Sequence, residues 1–458
     1  MSAAALRLLT AMAGIIAPLP ACAAPPVDLP VPAQFPAAVP AVPAAALPGY
    51  GYQQVLADPR LVAVIEAALA HNQDVALALA NIAAARAQYR IQGAARLPEL
   101  TASLGISHAD SAGFRGESYL AQGSAATYEI DLFGRAQSLT DAARAKYLGS
   151  QAAARATRLV LVADVSNAWL ALAANTSLLA LAQATAAAAR ASVALTQKRV
   201  NGGIAPLSDQ LKAELTLHAA EADIAAQTTA IAQDRNALRL LSGGDVDDAN
   251  LPSSIGDAAA QLRPVPVGLS SAILLQRPDI QQAELNLQAA NAQVEAARAA
   301  LFPRITLTGM LGATSTALGS LFTGGAFAWS SSALASYPIF RAGAGRQGLK
   351  LSAAQRDAAL ATYRKAIQSA FADVANVLAR RATIEDQLAA TAAAAKAAAA
   401  NDHMADRRYQ GGVTSYLEKL SAQQTLYAAQ KSLVAVQLAR ATNLVGLYRA
   451  VGGDLAGE

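Results

Sequence analysis

Gly343-Ala344-Gly345-Arg346-Gln347-Gly348 has the G-x-G-x-x-G spacing of a loop that cradles a pyrophosphate, and it stands between a strand-like and a helix-like segment. Its context does not suit that chemistry. The segment before it is serine-rich and alternating, whereas a dinucleotide site follows a buried, continuously apolar parallel strand. A comparable strand-to-helix crossing earlier in the chain, Gly134-Arg135-Ala136-Gln137, lacks the pattern. His71, His108, His218 and His403 are far apart, and none has a second ligand at metal spacing. No Ser/His/Asp set or carboxylate pair stands out. The 36 basic and 32 acidic residues are interspersed without a basic run, which argues against nucleic-acid binding. These residues point to a protein that is not an enzyme and needs no metal or cofactor.

The one cysteine, Cys22, carries a different chemistry. Residues 1–21 hold a single charge, Arg7, and an apolar stretch from Leu8 to Leu19, the pattern of an export signal. The stretch ends in Leu19-Pro20-Ala21-Cys22, which resembles a bacterial lipobox, with Cys22 as the lipidated residue and new N-terminus. Proline at the second position is unusual for that motif, and a signal peptide with an incidental cysteine is the alternative. Ala23, rather than aspartate, follows Cys22 and favours passage to the outer membrane. Several acyl chains on one residue make a firm tether, whereas a single chain is marginal.

The elements that must position any site come in two copies. Pro98 recurs as Pro303 and Asp74 as Asp279, both 205 positions on; Gly202-Gly203 recurs as Gly411-Gly412 and Gly243-Gly244-Asp245 as Gly452-Gly453-Asp454, both 209 on. One structural unit was used twice. The expected order is a signal peptide (1–21), a lipidated N-terminus and Pro-rich linker (22–58), repeat 1 (59–244), an irregular inter-repeat linker (245–267) and repeat 2 (268–454). Eight prolines between Pro25 and Pro48 suggest an extended, polyproline-like segment.

Each copy reads as helix, two strands, a very long helix, a Gly-Gly turn and a helix. Leu100, Ala102, Leu104 and Ile106 alternate with polar or small residues, as do Ile305, Leu307, Gly309 and Leu311, the period of strands with one apolar face. Further alternation ends at Leu132 and covers Phe327 to Ile339, with loops expected at Ser111–Ser118 and Thr314–Gly325. Four strands of membrane-crossing length result. The runs Ala136–Val200 and Leu349–Tyr409 contain no proline and only Gly149, so as helices they would reach about 98 and 92 Å. Val165–Ala189 is uncharged, but seven Ser, Thr, Asn and Gln residues make it too polar for a lipid-facing helix. From Leu417 through Leu420, Tyr427 and Val434 to Tyr448, apolar residues keep coiled-coil spacing.

Only helices or closed barrels cross a bilayer, because each backbone polar group must be satisfied without water. Four strands leave two bare edges, and barrels begin at eight strands. Neighbouring copies must supply the rest: two would just close a barrel, and three give twelve strands with an open lumen.

Thr127–Arg135, Gln276–Ile280, Ala299–Gly309 and Tyr409-Gln410-Gly411-Gly412-Val413 closely resemble the TolC/OprM-like outer-membrane factors, in particular the NodT-type lipoproteins of RND efflux systems. The resemblance runs from about residue 50 to the C-terminus. It implies a mainly α fold with a membrane β-barrel: a homotrimer whose 12-stranded barrel continues into a periplasmic α-helical coiled-coil barrel. The implied role is the exit duct of a tripartite efflux system, working with a periplasmic adaptor and an inner-membrane RND transporter and anchored in outer-membrane lipid. A protein-secretion duct and a non-pore periplasmic coiled-coil adaptor are the alternatives. The resemblance further places Gly202, Gly203, Ile204, Gly411, Gly412 and Val413 at tips that meet the adaptor, although tight reversal alone would also call for glycine. It places a periplasmic gate at Tyr409, Leu417, Glu418, Ser421 and Gln424. Relatives carry aspartate at Ser421 and OprM-like ones arginine at Gln424, so a salt-bridged lock is not expected here. Leu417 is expected as an apolar constriction and Glu418 as a carboxylate ring that favours cations, with a solvated surface residue as the alternative for Glu418.

Overall fold

The computed structural model describes residues 31, 32, 35, 51–111, 114–263 and 271–453; Cys22 and the export signal lie outside them. The element order is α1 (Tyr52–Val55), α2 (Pro59–His71), α3 (Gln73–Ala94), β1 (Leu100–Ser111), β2 (Phe114–Ile130), α4 (Arg135–Asn201), α5 (Leu207–Ser242), α6 (Ile255–Ala260), α7 (Pro278–Ala299), β3 (Arg304–Ser315), β4 (Phe327–Ser336), α8 (Ala344–Gln410) and α9 (Tyr416–Ala450). The architecture is mainly helical with one curled sheet.

The sheet runs β1-β2-β3-β4, antiparallel throughout. Its register keeps the apolar parity on one face: Leu104 faces Ala121, Ile106 faces Tyr119, Ile130 faces Ile305 and Leu311 faces Trp329. On β2 the apolar parity changes from odd at Tyr119 and Ala121 to even at Tyr128 and Ile130. A register shift between Ala125 and Tyr128 makes that change possible without turning either group over. Leu104, Ile106 and Trp329 are 84%, 71% and 71% exposed, so none of the described residues covers this face there. The opposite face pairs Thr101 with Ser124 and Ser107 with Ser118 through side-chain hydrogen bonds of 2.8 and 2.7 Å. β2 and β3 approach closely at Gly312, where a Cβ would stand 2.5 Å from the Ala121 carbonyl oxygen.

The second strand of the first hairpin starts earlier than expected. Phe114 pairs with Ser111 and Ser118 with Ser107, so most of the supposed loop at 111–118 is strand. Gly116 and Glu117 are poor strand formers, and ladder pairing overrides their preference.

α4 and α8 each hold 67 residues, on the order of 100 Å of helix. The uncharged stretch Val165–Ala189 belongs to α4, and Val165, Trp169, Leu170, Leu172 and Ala173 are at most 2% exposed, so it is protein core. The linker after α5 is more ordered than its prolines suggest. A 3-10 turn at Asp248–Asn250 and helix α6 bury Ile255 and Ala258, and the Trp169 indole donates to the Asn250 carbonyl at 2.9 Å. Ser254 caps α6 by accepting from Asp257 N–H, which offsets the helix's short length.

Both repeats close on themselves in the same way. Asn72 Nδ2 donates to the Leu241 carbonyl at 2.9 Å, and Arg277 donates to the Ala450 carbonyl at 2.9 Å. Each residue stands just before a helix and ties it to the end of that repeat's last helix. Arg277 is 7% exposed and its charge is met by Asp279 at 2.8 Å.

Candidate functional site at the helical tips

α4 and α8 end in the same backbone device. Gly203 N–H donates to the Val200 carbonyl at 3.0 Å and Ile204 N–H to Arg199 at 2.9 Å; Gly412 and Val413 repeat this with Tyr409 and Arg408 at 3.1 and 2.9 Å. This is the Schellman arrangement, which satisfies the last carbonyls of a helix and needs a left-handed residue. Gly203 and Gly412 supply it, with φ of 69° and 72°. Gly202 and Gly411 do not: their φ values are −83° and −77°, and a Cβ would sit 3.4 and 3.5 Å from the nearest carbonyl oxygen. The turn itself thus asks for glycine only at Gly203 and Gly412. Beyond the turns, Ile204 and Val413 are 77% and 70% exposed.

Just above, the two repeats grip one another. Ala213, Tyr409, Tyr416 and Leu420 form a small buried cluster with Val193 against it. Tyr409 and Tyr416 meet at 5.6 Å between ring centres. The Arg199 guanidinium lies 4.7 Å from the Tyr409 ring centre and the Lys419 ammonium 5.3 Å from it. Lys419 also pairs with Asp406 at 2.6 Å. Arg199 belongs to the first repeat and Tyr409 to the second, so this cation–aromatic stack joins them. Burial, the dominant cause, pushes the Tyr416 hydroxyl up to about 12.

Of the expected gate residues, the structure separates two kinds. Tyr409 is inside, 5% exposed, within this cluster. Leu417, Ser421 and Gln424 are exposed, and their four- and three-residue steps set them along one face of α9. Glu418 is exposed too but not a free carboxylate: Arg408 meets it at 3.1 Å and the Thr414 hydroxyl donates to it. Its N–H is capped by Ser415. Sequence reasoning missed Arg199, Arg408 and Lys419. Basic residues in the last turn before each Gly-Gly were the signal that could have found Arg199 and Arg408; Lys419, in the first turn of α9, carried no such signal.

Gly343, His71 and His218 have local structural roles. Gly343, φ 83°, makes the left-handed entry into α8 from the exposed strand β4. His71 Nδ1 lies 3.0 Å from the Ala67 carbonyl, and His218 pairs with Glu221 at 3.2 Å.

The outer membrane efflux protein model matches residues 64–244 and again 269–453, covering most of the chain. The chain belongs to this family. It is 38% identical to the toluene efflux pump outer membrane protein TtgC of Pseudomonas putida, over 88% of this chain and 85% of TtgC. It is also 38% identical to the outer membrane protein OprJ of Pseudomonas aeruginosa, over 89% of this chain and 87% of OprJ. Among solved structures, the open-state MtrE outer membrane channel of Neisseria gonorrhoeae superimposes with a TM-score of 0.85 at 33% identity, covering 93% of this chain and 96% of MtrE. The protein is therefore an outer-membrane efflux duct with a periplasmic helical extension.

Proposed function

We propose that three copies of this chain close a 12-stranded barrel and that the resulting duct passes small organic molecules outward, docked through its helical tips to a periplasmic adaptor and an inner-membrane RND transporter. The observation that carries this reading is the four-stranded sheet, whose apolar face is uncovered and whose outer strands, β1 and β4, each pair on one side only. A single chain would expose those edges to hydrocarbon, which backbone polar groups do not tolerate. A periplasmic adaptor without a pore would have no use for such a face. Similarity to a toluene efflux component supports organic cargo.

Leu417, Ser421 and Gln424 are the proposed constriction, because one exposed helix face repeated around a three-fold axis brings like residues together. Leu417 supplies its apolar part. Glu418 contributes charge, tempered by Arg408. Tyr409 acts from behind this face, holding the helices in place.

The test is conductance of the purified protein in planar bilayers. Wild type is expected to form discrete cation-preferring channels. Leu417→Ala should raise conductance, and Glu418→Gln should lower cation preference while costing at most about 1 kcal/mol of stability, since the Arg408 pair is solvent-exposed. Absence of channels from a folded trimer would overturn the duct; unaltered selectivity in Glu418→Gln would remove Glu418 from the gate.

A further inference from the structure

We propose that the loop joining β3 to β4 lies in the lipid of the outer leaflet, with Leu318 and Phe322 among acyl chains, rather than in the water beyond the barrel. β3 follows α7 and β4 leads into α8, so this loop stands at the end of the sheet away from the helices. A hairpin turn placed in water is ordinarily polar. The first hairpin obeys this, with His108, Asp110, Arg115 and Glu117 around its turn, whereas no Asp, Glu, Lys or Arg occurs from Ile305 to Phe340. Leu318 and Phe322 are 61% and 83% exposed, so none of the described residues covers them.

The register shows to which side the loop is drawn. Residues opposite one another in an antiparallel pair project from the same face of a sheet. Successive rows of the apolar face are Ala102, Gly123, Leu311 and Trp329; then Leu104, Ala121, Ala313 and Phe327; then Ile106, Tyr119 and Ser315. Ser315 therefore projects from the apolar face, and the Ser320 hydroxyl meets its hydroxyl at 2.6 Å. That contact holds the loop on the apolar side of the rim, away from the polar face. The loop is also fixed internally. The Thr323 hydroxyl donates to the Ser320 carbonyl at 2.8 Å, Thr314 N–H donates to the Ala326 carbonyl at 2.9 Å, and Leu321 is 4% exposed. Leu321 takes the covered position, and Leu318 and Phe322 are left facing outward.

The row that holds Ser315 also marks where lipid gives way to water. Tyr119 sets its ring on the apolar face and donates its hydroxyl to Glu117 at 2.7 Å, one step farther out on the same face. An apolar ring with one wet end is the kind of side chain that collects at a membrane interface. A loop tied to this row and free of charge can enter the acyl region without taking an ion out of water. Neighbouring copies would join through the backbone edges of β1 and β4, in the plane of the sheet, whereas the loop is displaced toward its apolar face. The proposal rests on the reading that this face of the barrel meets lipid, and it is independent of the tips and gate.

The experiment is spin labelling of the full chain in a Cys22→Ser background, which leaves no other thiol, as trimers in liposomes of phosphatidylethanolamine and phosphatidylglycerol. A nitroxide at Phe322→Cys is relaxed by oxygen, which concentrates among acyl chains, and separately by a water-soluble nickel chelate. The oxygen-to-nickel ratio should exceed one at Phe322→Cys and at Ile106→Cys, on the apolar face, and fall below one at Ser107→Cys, on the polar face. Preferential relaxation by nickel at Phe322→Cys would put the loop in water, and shielding from both reagents would put a second copy over it. Either result overturns the proposal, while the contrast between Ile106→Cys and Ser107→Cys keeps the barrel reading intact. Loss of that contrast overturns both. Should Phe322→Cys fail to assemble, Leu318→Cys reads the other outward-facing position, with the same ratio above one expected and the same results overturning the proposal.

Discussion

Glycine has two separate uses in this chain, and φ tells them apart. Gly243 is left-handed at 72°, and a Cβ there would stand 2.5 Å from the His71 carbonyl oxygen. Gly203 is left-handed with open space around it, and Gly202 is neither left-handed nor blocked. Gly243→Ala should therefore destabilise most, by more than the roughly 1–2 kcal/mol of a left-handed alanine, because backbone must also move. Gly203→Ala should cost about that penalty and Gly202→Ala almost nothing. Chemical denaturation followed by circular dichroism checks the order; a Gly202→Ala variant as unstable as Gly243→Ala would refute it.

At the scale of elements, the helices of the two repeats are tied by polar clasps as well as by packing. Asp223 on α5 accepts from the Tyr427 hydroxyl at 2.7 Å and pairs with Lys431 at 3.2 Å, both on α9. The Tyr427 hydrogen bond is the main influence that lowers the Asp223 pKa below 3.8, and burial with the neighbouring carboxylate raises that of Tyr427 above 10.0. A depressed carboxyl stabilises the fold above its unfolded pKa and loses that contribution as pH falls through the folded value. A raised phenol stabilises below its unfolded pKa and loses that contribution as pH rises through the folded value. The clasp should thus hold from about pH 4 to pH 10 and weaken on either side. Thermal unfolding should show Asp223→Asn less stable by about 1 kcal/mol at pH 7, with the difference shrinking below pH 4. A pH-independent difference would show that Asp223 acts through packing alone.

Tips and anchor are tested at the scale of the whole molecule. Because Gly202 and Gly411 carry no backbone demand, Gly202→Trp and Gly411→Trp should fold and insert yet abolish efflux if a partner approaches closely there; unchanged export in both would remove the tips from the contact. Lipidation at Cys22 lies at the other extreme of the chain. Cys22→Ser should leave trimers intact, since the strands between Leu100 and Ser336 and the tip cluster are built from other residues, and wild type should incorporate labelled palmitate. An unlabelled wild-type protein would rule out the anchor.

The sequence by itself determined the repeat, the helix–strand order and the apolar parity of the strands, because each is written in local spacing: Pro98 against Pro303, Leu104 against Ile106, the long runs without proline. It also held the tip turns, since a Gly-Gly pair closing a helix has few alternatives. Tertiary structure decided what depends on a distant partner. Ladder pairing with Ser107 made Ser118 a strand residue, burial against Trp169 gave the linker its helix-and-turn order, and packing across the repeats placed Tyr409 inside rather than on a lumenal face. Arg408 turned Glu418 from an isolated charge into half of a pair. Spacing along a chain fixes which face a residue occupies on its own element, whereas burial and pairing are set by what another element brings to that face.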